Sequence, residues 1–247
     1  MEDYILADPG GNITALVETY FAPEQRSAAA KKIMSLEPRA EQLGFISPGG
    51  DADVSLYMAG GEFCGNACLC AAAWYLERSG ESEGLVSVSI SGADKPVSVE
   101  MKRSGDYFEG VVDMPLPSEI SSLEGMTLVS WPGISHLIAS PGMSRSEAEE
   151  MIVPLCRRLG AEALGLMLFD REKMSLHPLV YVPGAGSLFW ENTCASGTSA
   201  LGAALSAEKG ENVSLRISQP GGSLGIEAFR DGGRLCSLRL SGTVKLG

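Results

Sequence analysis

The sequence predicts an α+β fold of two lobes, each rich in antiparallel strands. Apolar and polar residues alternate with a period of two through much of the chain, which is typical of half-buried strands, and helical periodicity is confined to a few segments. A cysteine followed by small residues and an Ala-rich run occurs once in each half of the 247 residues. The repeat of this sequence pattern indicates a duplicated protein, with a first lobe of about residues 1–115 and a second lobe after it.

The first half of the chain alternates between strands and helices. "YILADPGGNITALVE" (4–18) predicts two strands joined at a Pro-Gly-Gly turn, and "APEQRSAAAKKIMSL" (22–36) predicts a helix. Alternating segments return at 85–92, 96–103 and 107–114, where we expect antiparallel strands.

The second half follows a stretch, "MPLPSE" (114–119), that has the composition of a linker. A helix is predicted over 144–160, because Ser144 and Glu147 form a capping-box pattern and Gly160 ends the periodicity. The segment 224–240 predicts a hairpin that turns at Asp-Gly-Gly.

Two segments, "CGNACLCAAAWYLERSG" and "CASGTSALGAALSAEKG", fit neither pattern. The first runs from Cys64 to Gly80 and the second from Cys194 to Gly210. Small polar residues follow each cysteine, and a glycine comes one helix length later. We therefore expect each cysteine at or just before the N-terminus of a helix.

The composition restricts the partners and the location of the protein. Asp and Glu number 31 against 19 Lys and Arg, a net charge of -12 that repels nucleic acids and anionic membranes. The first residues lack a basic segment followed by an apolar stretch, so we expect no signal peptide. No apolar run reaches the roughly 18 residues of a membrane helix. We expect a cytoplasmic protein, without nucleic-acid or membrane partners, whose thiols are kept reduced.

The six cysteines do not have the spacing of a zinc site, which needs about four ligands in tetrahedral reach. Cys64, Cys68 and Cys70 do not form paired ligands, and His136 and His177 lie far in sequence from any other ligand cluster. We expect no metal. The cysteines expected to be small buried hydrophobic residues are Cys68, Cys70, Cys156 and Cys236.

Cys64 and Cys194 differ from the others because of their predicted position. Backbone N–H groups and the positive end of the helix dipole favour a thiolate, which predicts a lowered pKa for both thiols. The small residues that follow let the backbone amides point at an anion. The residues expected to do so are Gly65, Asn66, Ala195 and Ser196.

If the two turns face each other, they can hold a substrate carboxylate with a sulfur atom on either side of the α-carbon. This arrangement suits an amino-acid racemase, because helix-end amides stabilise the charge that develops when the α-proton leaves. One cysteine would act as a thiolate base and the other as a thiol acid, and the two would titrate as a pair. No nucleotide or phosphate-binding motif is present, so we expect no cofactor.

At these residues the sequence resembles the diaminopimelate epimerase family. "CGNA" (64–67) is similar to the first cysteine turn of that family, and "CASG" (194–197) to the second, with Ala195 where the family usually has glycine. The resemblance implies two pseudo-symmetric lobes, each a mostly antiparallel sheet or barrel wrapped around a central α-helix. It also implies a second lobe at 116–239, a last strand at about 240–247 that returns to the first lobe, and a homodimer.

Three further segments resemble active-site segments of the family. They are "GGNITALVE", "AEQLGFI" and "ISHLIA", and they imply site roles for Asn12, Gln42 and His136. The histidine could orient a cysteine or be a core residue.

The residues expected to recognise the side chain depart from the family. The epimerases have a Glu-Arg pair where this sequence has Val182-Pro183, so no charged group remains there to bind a distal carboxylate. We expect a free amino acid other than diaminopimelate, and the first turn resembles that of the histidine racemases of opine-type metallophore pathways. Glu41 and Glu191 could hold the amino group or a basic side chain, or be solvated surface carboxylates.

Other functions stay open at this point. The resemblance also covers diaminopimelate epimerases, hydroxyproline epimerases and phenazine-type isomerases, although the last group lacks the cysteine pair. A non-catalytic amino-acid-binding relative would keep the carboxylate site without turnover. A thiol-redox protein is the remaining alternative, but the sequence has no C-x-x-C.

Overall fold

The structure is a computed structural model, and it describes residues 3–139 and 142–247. The chain divides into two compact units. The first unit comprises residues up to Asp113 together with Ser241–Gly247, and the second comprises Met114–Leu240. Among the described residues, no helix is both long enough and apolar enough to cross a membrane.

The first unit begins with the predicted strand pair, which is antiparallel. The predicted helix after it is also confirmed, as are the three alternating segments that end the unit. The helices of this unit are α1 (Pro23–Leu36) and α2 (Gly65–Ser79). Its strands are β1 (Tyr4–Asp8), β2 (Thr14–Val17), β3 (Gln42–Pro48), β4 (Val54–Met58), β5 (Glu83–Ile90), β6 (Val97–Ser104) and β7 (Tyr107–Met114).

The second unit contains the predicted capped helix, the second cysteine helix and the hairpin near the end of the chain. Its helices are α3 (Arg145–Leu159) and α4 (Ala195–Lys209). Its strands are β8 (Glu119–Leu123), β9 (Met126–Trp131), β10 (Ile134–Ala139), β11 (Leu164–Asp170), β12 (Ser175–Val182), β13 (Ser187–Trp190), β14 (Val213–Gln219) and β15 (Gly222–Asp231). The last strand, β16 (Arg234–Leu246), begins in the second unit and belongs to the first from Ser241 onward.

The strands of the first unit close into a barrel around α2. Neighbouring strands follow chain order from β1 to β7, and the end of β16 completes the ring by pairing with β1, where Ala7 lies opposite Leu246. Helix α2 contacts β2 to β6 and is buried on every side from Gly65 to Trp74. A helix that is apolar all round belongs in a core, and its small side chains let it fit inside eight strands.

The strands of the second unit follow the order β16-β15-β14-β12-β11-β10-β9-β8, with β13 beside β12. Helix α4 contacts β8 to β11, β14 and β15, and it is buried along most of its length. Helix α3 packs on the opposite face of β10, β11 and β12 through Ile152 and Leu155, which meet Leu137, Leu166 and Leu179.

Four neighbouring strand pairs in the described part of the chain are parallel, and one helix joins each pair. Helices α1 and α2 connect β2 to β3 and β4 to β5, while α3 and α4 connect β10 to β11 and β12 to β14. A parallel pair needs such a crossover, whereas a hairpin does not. Alternation of apolar residues does not distinguish the two directions, so the sequence did not indicate these pairs. The order of helices and strands is similar in the two units, and the pseudo-symmetric relation of the lobes stays a prediction.

The buried cysteines follow the prediction with one exception. Cys68, Cys70 and Cys156 have no exposed surface, and burial raises the pKa of each thiol. Cys236 is exposed, so the prediction for this residue is wrong. It lies on β16 close to the turn at Gly233, and the first four residues of this strand are exposed or half-buried.

Candidate active site

The first cysteine turn, Cys64–Ala67, forms the start of α2. Cys64 is the N-cap, in an extended conformation with φ -137° and ψ 112°. The backbone N–H of Ala67 donates to its Sγ at 3.4 Å. The sulfur atom therefore takes the place that a serine or aspartate oxygen usually takes at a helix start.

Cys64 is linked by hydrogen bonds to two side chains of neighbouring strands. Its thiol donates to Gln42 Oε1 at 3.2 Å, and Gln42 Nε2 donates to Thr14 Oγ1 at 2.7 Å. The parallel pairing of β2 with β3 puts Thr14 directly opposite Gln42, so the two side chains share a face of the barrel. Gln42 was predicted as a site residue from a resemblance, whereas Thr14 was missed because nothing in its local sequence distinguishes it from another strand threonine.

Asn12 and Glu41 lie beside these hydrogen-bonded side chains. Asn12 Nδ2 donates to Glu41 Oε2 at 3.4 Å, and the Glu41 backbone N–H donates to the Ile13 carbonyl at 2.8 Å. Asn12 is buried and Glu41 is exposed. Asn12 Oδ1 is buried and has no hydrogen-bond partner within residues 3–139 and 142–247, which leaves an acceptor available to a ligand.

The segment that leads into Cys64 contacts the two residues that follow β5, Ser91 and Gly92. Ser91 Oγ accepts the Met58 N–H at 2.9 Å and donates to the Glu62 carbonyl at 3.1 Å. Gly92 has φ +76°, and a Cβ at this position would lie 2.3 Å from the Phe63 backbone nitrogen. Only glycine allows the two segments to approach this closely.

The second cysteine turn, Cys194–Gly197, starts α4 in the same way. Cys194 is the N-cap, with φ -124° and ψ 107°, and its Sγ accepts the Gly197 N–H at 3.3 Å. Ser196 Oγ lies 3.5 Å from the same sulfur atom. A Cβ on Gly197 would come within 2.2 Å of Met167 Sδ, so the helix start packs closely against β11.

Gln219 makes hydrogen bonds to the second cysteine turn and to the helix that follows it. It was not predicted as a site residue. Its Oε1 accepts the Cys194 backbone N–H at 2.8 Å, and its Nε2 donates to Thr198 Oγ1 at 2.9 Å. Thr198 Oγ1 in turn donates to the Cys194 carbonyl at 2.6 Å. Gln219 is at the end of β14 and reaches α4 only through tertiary packing, so neither spacing nor periodicity could have identified it.

The electrostatic surroundings of Cys194 favour the thiol. Burial raises its pKa most, and the negative charge of Glu191 and a hydrogen bond to that side chain raise it further. Hydrogen bonds from Ser196 and from the Gly197 amide act in the opposite direction but are weaker. The prediction of a lowered pKa for Cys194 is therefore wrong, because burial and a neighbouring carboxylate outweigh the helix N-terminus.

His136 is fully buried on β10. It lies opposite Gly165 of β11, and a Cβ on that glycine would be 2.1 Å from His136 Nδ1. Its ring meets that of Trp131 edge to face, with centroids 6.2 Å apart. Burial lowers the pKa of His136 to about 3, so the imidazole is neutral. In the described residues neither ring nitrogen has a hydrogen-bond partner, so no hydrogen bond supports a role in orienting a cysteine.

The predicted site residues form two clusters, one in each unit. The first half-site consists of the first cysteine turn, with its buried Gly65 and Asn66, together with Asn12, Glu41 and Gln42. The second half-site consists of the second cysteine turn, including Ala195 and Ser196, together with Glu191. Within the described ranges, no group of three or more His, Cys, Asp or Glu side chains could hold a metal ion.

Comparison with protein families identifies one match across the whole chain. The model described as the histidine racemase CntK N-terminal domain matches residues 2–247.

Two curated relatives are histidine racemases. That of Fusobacterium nucleatum is 32% identical over 237 residues, which cover 90% of this chain and 87% of the relative. That of Staphylococcus aureus is 29% identical over 244 residues, covering 90% of this chain and 87% of the relative. Among solved structures, a predicted epimerase from Pseudomonas aeruginosa is similar in fold, with a TM-score of 0.71 at 18% identity over 100% of this chain and 97% of that one.

Proposed function

Since the chain belongs to the histidine racemase CntK N-terminal-domain family, we propose that it inverts the α-carbon of free histidine, with Cys64 and Cys194 as acid and base. The chain is an isomerase of the racemase and epimerase class. The observation that carries the proposed mechanism is the pair of cysteine caps, since each unit places one sulfur atom at the N-terminus of a buried helix.

Racemisation requires that a proton leave one face of the α-carbon and that another arrive at the opposite face. We assign one face to each thiol, so that the thiolate of one cysteine removes the α-proton while the thiol of the other delivers one. The roles exchange for the other enantiomer. Two identical functional groups suit this reaction, because its forward and reverse directions are chemically equivalent.

The two half-sites differ in the group that accepts the hydrogen bond from the thiol. Cys194 donates to a carboxylate, Glu191, which keeps the thiol protonated. Cys64 donates to a neutral amide oxygen, Gln42 Oε1, at 3.2 Å. We therefore assign the thiol acid of the resting enzyme to Cys194, and the two-base mechanism then leaves the role of base to Cys64.

The α-carboxylate of the substrate is assigned to the helix starts. The backbone N–H groups of Gly65, Asn66, Ala195 and Ser196 are those expected to donate to it, and they would also stabilise the charge that builds up once the α-proton has left. The substrate ammonium group is assigned to Asn12 Oδ1 and Glu41. The first is a buried acceptor that has no partner among the described residues, and the second is an adjacent carboxylate. These roles require no cofactor.

The test is α-proton exchange with purified full-length protein. L-Histidine in deuterium oxide should lose its α-proton NMR signal while its circular dichroism decays to zero. In Cys64→Ser and in Cys194→Ser the racemisation rate should fall by about 10²- to 10⁴-fold, the range expected when a positioned acid or base is removed.

Cys236→Ser is the matched control, since this thiol is exposed and lies outside both half-sites. It should retain wild-type activity. If either Cys64→Ser or Cys194→Ser racemises histidine at the wild-type rate, the two-base assignment is wrong. If the wild-type protein binds histidine without exchanging its α-proton, the chain is a binding protein.

A further inference from the structure

Strand β13 is an addition to the strand order of the second unit. It pairs with β12 but lies off the path of neighbours that runs from β12 to β14. In the first unit the connection that leads to the first cysteine helix, from β4 to α2, spans residues 59–64 and contains no strand. The second unit thus adds a hairpin to the chain immediately before Cys194.

The register of β13 shows which of its side chains face away from α3. Phe189 lies opposite Val180, which lies opposite Gly165, and directly opposed residues share a face. Trp190 lies opposite Leu179, and both belong to the cluster packed on α3. Phe189 is therefore on the other face of the sheet.

The face that carries Phe189 is also the face against which the second cysteine turn packs. Two residues beyond Gly165 on β11 is Met167, whose side chain lies on the same side of the strand. Its Sδ meets Gly197, the residue whose N–H donates to the Cys194 sulfur atom. The register therefore places Phe189 on the same face of the sheet as Met167, which contacts the second cysteine turn.

Phe189 also lies next to Glu191 along the chain direction. The Glu191 N–H donates to the Pro178 carbonyl at 3.0 Å, which extends the β12–β13 pairing one residue past the end of β13. Alternate residues of a strand project to the same side, about 6.5 Å apart, so Phe189 and Glu191 are same-face neighbours. The Glu191 carboxylate accepts the hydrogen bond from Cys194, and the Phe189 side chain is 41% exposed.

We propose that Phe189 is the specificity-determining residue of the second half-site, and that its exposed ring stacks on the imidazole of the substrate. This inference rests on the proposed function. A planar apolar ring beside the reacting group favours a flat aromatic side chain, since offset or edge-to-face contact between rings is attractive, and a protonated imidazole adds a cation–π attraction. An aliphatic side chain would gain less from the same surface.

The experiment measures steady-state racemisation of L-histidine by Phe189→Ala and by Phe189→Tyr. Loss of one aromatic contact should raise KM about three- to tenfold, while kcat stays within about twofold, because the thiols and helix ends are unchanged. Phe189→Tyr keeps the ring and should keep the wild-type KM. A thermal unfolding scan of each variant reports whether the hairpin has been disturbed.

Leu188→Ala is the matched control, since Leu188 is adjacent on β13, is 39% exposed and projects from the opposite face. The inference is overturned if Phe189→Ala retains the wild-type KM, whether or not its sedimentation coefficient changes. It is also overturned if Leu188→Ala raises KM equally. If the wild-type protein does not racemise histidine, the proposed function fails separately. Calorimetric titration of wild type and Phe189→Ala with L-histidine then tests the ring directly, and equal Kd values overturn the inference.

Discussion

For the two cysteines at the helix starts, the sequence predicted the positions correctly but not the direction in which the pKa of Cys194 is shifted. Cys64 and Cys194 were placed at helix starts from the small residues that follow them, and both are N-caps. The pKa of Cys194 was predicted in the wrong direction, because its burial and its contact with Glu191 depend on distant parts of the chain. The helix dipole is a local effect, whereas desolvation is not.

His136 should make the protein sensitive to acid. Its folded-state pKa is lowered to about 3, whereas an unfolded chain has a histidine pKa of about 6.5. Below that value the unfolded state binds a proton that the folded state rejects, so stability is lost as the pH falls from about 6.5 toward 3. Between pH 7 and pH 5 the wild-type protein should lose about 2 kcal/mol more unfolding free energy than His136→Gln.

Urea unfolding at the two pH values measures this difference. His177→Gln is the control, since His177 is the other histidine of the chain and is exposed on β12. It should keep the wild-type dependence on pH. A His136→Gln variant with the same acid sensitivity as the wild-type protein would contradict the assignment.

At the scale of the elements, helix limits were predictable and some strand positions were not. The capping box of α3 and the glycines that end α2, α3 and α4 are local signals, and Gly80, Gly160 and Gly210 all adopt positive φ. Strand β13 was not predicted. Its pairing with β12 depends on a turn at residues 183–186 and on a partner strand, not on alternation within four residues.

The contact between the end of β5 and the segment before α2 predicts a positional effect on Cys64. In Gly92→Ala the new Cβ would meet the Phe63 backbone at 2.3 Å, and no side-chain rotation can relieve that contact. The segment that leads to Cys64 must shift, so kcat should fall by at least tenfold and stability by more than the roughly 1–2 kcal/mol cost of a left-handed alanine.

Gly80→Ala separates the two effects. Gly80 has φ +74°, close to the φ of +76° at Gly92, but nothing lies within 4 Å of a Cβ placed there. This variant should lose about 1–2 kcal/mol and keep its kcat. Equal kcat values in the two variants, measured by racemisation of histidine, would show that the β5 contact does not position Cys64.

At the scale of the whole molecule, the last seven residues belong to the first unit although the second unit precedes them. The end of β16 pairs with β1, at Asp8 and Lys245 among others, and this pairing closes the barrel around α2. Without it, β1 would have an unpaired edge, and the barrel that holds the first cysteine turn would be open. The stability of the first half-site thus depends on residues far away in sequence.

Val244→Asp tests this dependence. Val244 is fully buried in β16, and an unpaired carboxylate in its place should cost more than about 3 kcal/mol. Hydrogen exchange should accelerate in β1 and α2, while α3, which belongs to the second unit, keeps its protection. Thr243→Asp is the control, since Thr243 is the exposed neighbour on the same strand. Equal exchange rates in the two variants would contradict the role of this strand.

Local sequence signals were enough to predict the strand pair at 4–18, the hairpin near the end of the chain, the four helices and the two cysteine caps. The resemblance at the two cysteine turns pointed to the class of amino-acid racemases. Four features came from the folded chain: the parallel direction of some strand pairs, the hydrogen bonds that Gln219 and Thr14 make at the cysteine turns, the position of Phe189 on β13, and the burial and negative charge that raise the pKa of Cys194. The two groups of features differ in the range of the interactions that produce them. Helix caps, turns and periodicity act within a few residues of the chain, whereas burial, charge and strand pairing depend on residues that the fold brings together.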